Sequence, residues 1–203
     1  MIDRLTSQIA FILEIDKMKT ILRQNVPITE PHRQENDAEH SWHLAMMALL
    51  LAEHADEPVD VARVVKMLLI HDVVEIDAGD TFVYDMAGHH DKAEREQRAA
   101  DRLFGLLPAD QTAELRGLWD EFEARTTADA RFAHAIDHLQ PVLLNVATKG
   151  LRWKVHGVTA DRVLDRNRVV GDSSERLWTY LQGLVADMIA QGHLPAGPGP
   201  AAP

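Results

Sequence analysis

The stretch Leu68-Leu69-Ile70-His71-Asp72-Val73-Val74-Glu75-Ile76-Asp77-Ala78-Gly79-Asp80 begins as an apolar helix interior and then sets an imidazole beside a carboxylate. Glu75 and Asp80 place further carboxylates just behind them. Burying a charge without a partner is costly, so a His-Asp pair closing an apolar run calls for a cation or a dense polar network. Upstream, Val61, Val64, Val65, Met67 and Leu68 describe a helix entered through Pro58, with Gly79 as its stop. On such a helix His71 and Glu75 are four apart and Asp72 and Glu75 three apart, which puts all three on one face or its margin.

The surrounding chain reads as helices throughout. Leu5, Ile9, Phe11, Ile12, Ile15, Met18 and Leu22 recur at three- and four-residue spacing, predicting an amphipathic helix from Ile2 to about Leu22. Pro27 and Pro31 mark a loop, and Asn36 with Glu39 forms a capping box, Asp37 being a competing cap, for a helix running to about Ala55. That helix is apolar on most sides, which predicts burial. Thr81 to Asp91, with His89-His90, is an irregular loop whose histidines read as exposed polar residues. Asp91 to Leu106 is a helix with a charged, solvated face, and Pro108 opens another whose stripe is Leu115, Leu118, Trp119 and Phe122. Thr126 with Asp129 caps a helix from about Thr127 to Lys149. A short helix follows from Val158 to about Asn167 with Thr159 as cap, and Asp172-Ser173-Ser174-Glu175 caps the last, Leu177 to about Gln191. The Pro/Gly/Ala-rich end, residues 194–203, reads as a disordered tail. No strand pattern or repeat is present, so the expected fold is all-α, one helical domain over residues 1–193.

Composition narrows the chemistry. With 203 residues the chain is long enough for one sizeable core, and without cysteine it has neither disulfides nor thiolate ligands, so any metal rests on imidazole and carboxylate. The net charge of -11 argues against nucleic acid as a partner. No apolar run is long enough to span a membrane and the N-terminus lacks a signal pattern, which predicts a cytoplasmic protein.

Candidate ligands fall on three different helices. His40 lies in the first turn of the second helix and His71-Asp72 at the end of the third, so antiparallel packing brings them together. Asp137 lies on or beside the apolar face of the Thr127–Lys149 helix, one turn before Pro141, where an aspartate is uncommon unless paired or ligating. His134 and His138 flank it. Lys17, Lys19 and Arg23 near the end of the first helix read either as a solvated face or as an anion pocket; without further context the solvated face is preferred.

The order His40, His71-Asp72, Asp137 resembles the HD-domain metal-dependent phosphohydrolases. The segments Glu35-Asn36-Asp37-Ala38-Glu39-His40-Ser41 and His71-Asp72-Val73-Val74-Glu75-Ile76-Asp77-Ala78-Gly79-Asp80 resemble those of its 5′-deoxynucleotidase branch. The resemblance covers roughly residues 1–150. It implies that His40, His71, Asp72 and Asp137 hold one divalent cation, a donor set suited to Mn, Co, Zn, Fe or Mg, with His134 the alternative to Asp137. It implies proton chemistry at Glu75 and Asp80, with Glu75 activating water and Asp80 protonating the leaving group. A supporting, hydrogen-bonding role is the alternative for Glu75. Arg33 and the first-helix cations Lys17 and Lys19 would then meet an anionic substrate, although this chain carries Lys17-Met18-Lys19 where the branch has an Arg-Trp pair. The implied reaction is hydrolysis of a (deoxy)nucleoside 5′-monophosphate to nucleoside and phosphate by a homodimer. The alternatives are an HD enzyme acting on another phosphate ester or on a cyclic or diphosphate nucleotide, and a non-catalytic helical interaction protein.

Overall fold

The computed structural model describes residues 3–79 and 92–197 and is all-α, its helices being α1 (Arg4–Ile15), α2 (Asp37–Leu51), α3 (Val61–Ile70), α4 (Glu75–Ala78), α5 (Lys92–Phe104), α6 (Ala109–Ala124), α7 (Ala128–Ala147), α8 (Leu151–Val155), α9 (Ala160–Arg166) and α10 (Glu175–Ala190). Extended pairing among the described residues is limited to an isolated bridge between Leu22 and Asn36. Helices α2, α3 and α7 pack on one another; α6 covers α3 and α7, and α10 closes the other flank of α7. Leu44, Met67, Leu68, Trp119, Phe132, Ile136 and Leu139 fill the space between them. Among the described residues no helix is long and apolar enough to cross a membrane.

Caps set the helix starts. The Asn36–Glu39 box forms, the Asn36 side chain accepting from the Glu39 N–H at 3.0 Å while the Asn36 N–H donates to the Glu39 carboxylate at 3.2 Å. Helix α3 starts later than Pro58 because Asp60 caps it, accepting from the Arg63 N–H, while the Asp60 N–H donates to Asp129 at the start of α7. Helix α7 is capped by Thr127 in place of Thr126, its hydroxyl accepting from the Ala130 N–H. The first helix stops at Ile15 and continues as a tighter 3₁₀ turn, Asp16–Thr20.

Three further features depart from the sequence reading. Helix α2 is not buried all round: Trp42, Leu49 and Leu50 face outward, because α3 and α7 cover only one side of it. The chain beyond residue 193 does not leave the body at once; Leu194 is buried and the Pro195 carbonyl accepts from the Ala160 N–H at 2.8 Å. Helix α8 is too short to show a period. Its direction is set by Lys149 and Gly150, both with positive φ, and a Cβ at Gly150 would stand 2.7 Å from the His193 carbonyl oxygen.

Candidate metal centre

The helix carrying the HD pair changes character at the site. Past Ile70 the backbone tightens into a 3₁₀ segment, His71–Val74, before α4. The His71 carbonyl accepts from the Trp119 indole N–H at 3.2 Å, and a carbonyl so engaged sits easily in a break of helical bonding. The His71 ring is oriented by a contact of 2.9 Å between Nδ1 and the Leu68 carbonyl. A carbonyl only accepts, so Nδ1 carries a proton, and Nε2 is the nitrogen whose lone pair a cation would take in place of a proton. That Nε2 is buried without a hydrogen-bond partner and lies 3.0 Å from Asp72 Oδ2 and 3.8 Å from Asp137 Oδ1.

His40 completes the group from α2. Its Nε2 is 3.0 Å from Asp137 Oδ1 and 3.9 Å from Asp72 Oδ2, and its ring is fully buried. Behind it, Nδ1 faces Glu35 Oε2 at 3.7 Å, and the other Glu35 oxygen accepts from the Gln140 amide at 2.8 Å. Donor atoms about 2.0–2.2 Å from one shared ion must stand roughly 3 Å or a little more from each other, and the 3.0–3.9 Å separations here are of that kind. Two imidazoles and two carboxylates from α2, α7 and the turn after α3 therefore fit a divalent cation.

The electrostatics say the same. Burial opposes charge on His71, but the carboxylates of Asp72 and Asp137 outweigh it and raise its pKa well above the ordinary imidazole value. Burial likewise opposes charge on Asp72 and Asp137, yet His71 with Arg23 holds Asp72 low, and His40 with His71 holds Asp137 well below the carboxylate range. Two carboxylates turned toward the same pair of imidazoles demand positive charge between them.

His134, the alternative to Asp137, is committed elsewhere. Its Nε2–H donates to the Phe122 carbonyl at 2.9 Å, and its ring stacks on Phe122 at 3.9 Å between centroids. Its donor atom also lies within 4.8 Å of those of Asp137 and His138, but it has no contact with His40 or His71 comparable to that of Asp137. Burial depresses its pKa from 6.5 to about 3. Between those values the unfolded chain binds a proton that the folded chain refuses, so stability rises with pH across that window and falls on acidification. We expect His134 to contribute roughly 3 to 5 kcal/mol to the acid loss of stability between about pH 6.5 and 3. Denaturant unfolding of His134→Gln and the unmodified protein at stepped pH checks this; equal slopes in the two would refute it.

The cations facing the site are not the three expected from sequence. Lys17 pairs with Glu14, Lys19 with Asp16, and Arg33 with Glu30 and Glu39, all on the outer surface, and none of the three lines the cavity beside the cluster. Arg23 does. Its Nη1 donates to Asp72 Oδ2 at 2.6 Å and to Asp37 Oδ1 at 3.1 Å, while its backbone N–H is fixed by the Glu35 carbonyl. Burial works against its charge, and Asp72, Glu75 and Asp137 more than restore it. Lys92, paired with Glu96 at 3.2 Å, is a second cation on this wall. One sequence signal sets Arg23 apart from the surface three: Lys17, Lys19 and Arg33 each have a carboxylate three residues earlier, whereas Arg23 has none three or four positions away.

The cavity has a volume of about 190 Å³ and takes in Asp72, Glu75 and Asp137 together with Arg23-Gln24, Arg152 and His156. Glu75 is buried at this wall. Asp80, with His89 and His90, lies outside the described residues.

A family model described as an HD domain matches residues 15–178. The chain belongs to the HD-domain family. Among its relatives, the 5′-deoxynucleotidase HDDC2 of Bos taurus is 30% identical over 133 residues, 66% of this chain and 63% of that protein. The protein of the same name from Homo sapiens is 28% identical over 137 residues, 68% of this chain and 66% of that protein. The HD domain thus matches just under two thirds of each relative's length. Its fold superposes with a TM-score of 0.89 on a crystal structure of a predicted metal-dependent phosphohydrolase from Magnetospirillum magnetotacticum MS-1, 56% identical and covering 95% of this chain and 96% of that one.

Proposed function

We propose that this HD domain is a metal-dependent phosphohydrolase that cleaves (deoxy)nucleoside 5′-monophosphates to nucleoside and phosphate. The observation that carries the reading is the convergence of His40, His71, Asp72 and Asp137, with the His71 ring held so that Nε2 faces the cluster, at the wall of a cavity that also holds Arg23 and Lys92. A divalent cation held by those four residues would supply Lewis acidity toward the phosphoryl group and acidify the attacking water.

The chain's own groups do the rest. Arg23 and Lys92 attract the phosphate and counter the charge that develops on its oxygens. To Glu75, buried at the same wall, we assign the proton of the water, taken as its oxygen bonds to phosphorus. As the bond from phosphorus to the 5′ oxygen breaks, that oxygen takes a proton, the role we assign to Asp80 from its place in the motif. Nucleotide monophosphates are favoured over other esters because the relatives at 30% and 28% identity bear the name 5′-deoxynucleotidase.

The test is phosphate release from a panel of ribo- and deoxyribonucleoside 5′-monophosphates by stripped protein resupplied with Mn, Co, Zn, Fe or Mg. We expect turnover with at least one cation and none without. Hydrolysis of only cyclic or diphosphate nucleotides would replace the substrate assignment, and absence of any turnover would remove the enzymatic one.

A further inference from the structure

The cavity is lined by Arg152 as well as by Arg23, Lys92 and Arg166. Arg152, in α8, donates through Nη2 to Gln24 Oε1 at 2.8 Å and contacts His156 Nε2 at 3.2 Å. Both partners are neutral acceptors in this arrangement, and no carboxylate pairs with Arg152 among the described residues. In a chain of net charge -11, Arg4, Arg23, Arg33, Arg63, Arg102, Arg116 and Arg131 all pair with acids, and Arg125, Arg168 and Arg176, for which no acid partner is seen among the described residues either, are exposed and lie outside the cavity that Arg152 lines. Its Nε–H is buried and has no hydrogen-bond partner, a costly omission for a charged donor.

A purely structural role does not account for this arrangement. Holding Gln24 uses one terminal nitrogen and leaves the rest of the guanidinium fork unspent at the cavity wall. Nothing in the hydrogen bonds ties Arg152 to His40, His71, Asp72 or Asp137, so it is a separate group in the same cavity. The Gln24 oxygen is occupied by Arg152, which leaves its amide N–H groups as donors too. The α8 backbone is tied to α7, the Gly150 N–H donating to the Asn145 carbonyl and the Trp153 N–H to the Asn145 side chain, so the group is carried by an anchored backbone.

We propose that Arg152, anchored by Gln24, is a specificity-determining residue that binds an oxygen acceptor on the substrate at a distance from its scissile phosphate. The ligand is of one chemistry, a carbonyl or anionic oxygen, and comes either from the base of a nucleotide or from a second phosphate. The assignment rests on the phosphohydrolase reading and deepens it.

The experiment compares dTMP, which carries base carbonyls, deoxyadenosine 3′,5′-bisphosphate, which carries a second phosphate, and phenyl phosphate, which carries neither, in the cation-loaded protein. Arg152→Ala is expected to lower the preference for one of the first two over phenyl phosphate, taken as the ratio of kcat/KM values, by about ten- to a hundred-fold. The loss should lie in KM, and Arg152→Lys should restore part of it. Gln24→Ala, which frees the guanidinium from its anchor, should act in the same direction more weakly. The arm that loses preference identifies the source of the oxygen. An unchanged ratio in both arms, or a loss confined to kcat, overturns the proposal. Calorimetric binding of the same two nucleotides and of inorganic phosphate separates this from failure of the phosphohydrolase reading. Without turnover, a ten-fold weakening of nucleotide but not phosphate binding in Arg152→Ala still supports the subsite, and unchanged or absent nucleotide binding refutes it.

Discussion

His71→Ala should yield a folded protein that retains no stoichiometric divalent cation and has lost phosphate release by on the order of a thousand-fold or more. The backbone fixes the orientation of this imidazole, through Nδ1 and the Leu68 carbonyl. Its Nε2 faces both Asp72 and Asp137, so its loss takes away one of the two nitrogens turned toward the carboxylates and leaves His40 as the remaining imidazole. Three donors with a gap on one side bind a cation far less tightly than four. Elemental analysis of purified protein and the nucleotide assay should change together, and Asp72→Ala should reproduce the result. A His71→Ala protein with full metal content and full activity would sink the assignment of this cluster as the catalytic centre.

The second large effect belongs to Arg23. One guanidinium nitrogen bridges Asp37, fully buried, and Asp72, nearly so. Removing one member of a buried ion cluster typically costs about 3 to 5 kcal/mol, since the remaining charges are left in a poor solvent for charge. Arg23→Ala should therefore lower the thermal midpoint by roughly 10 °C in a domain of this size. It should also depress phosphate release even at temperatures where the variant is folded, because Asp72 loses the contact that holds its carboxylate in place. Arg23→Lys keeps the charge but not the length and planarity that set Nη1 between the two carboxylates, so an intermediate midpoint is expected. Calorimetry and the assay at reduced temperature read the two effects separately; an unaltered midpoint in Arg23→Ala would show that the bridge carries no stability.

Much of the molecule could be read from local pattern. The helices around the site follow from apolar spacing and caps, and the Asn36–Glu39 box forms as its spacing dictates. Where a helix start was misplaced, at Thr126 where Thr127 caps or at Pro58 where the helix opens after Asp60, a neighbouring hydroxyl or carboxylate reached the N–H instead, a choice of one or two residues that spacing alone does not make. The short α8 left no period to read, and it carries the residue on which the further inference rests.

By itself the sequence determined that the fold is helical and that His40, His71, Asp72 and Asp137 are of the types and positions from which one cluster can be built, since periodicity and capping are local properties of the chain. Which cations meet that cluster was decided only by tertiary structure. Lys17, Lys19 and Arg33 are neutralised by acids one turn away and stay at the surface, while Arg23 and Arg152, with no acid within a turn, come to the cavity through a loop and a short helix. Charge pairing over long sequence separation depends on how helices pack, and packing is a property of the whole chain.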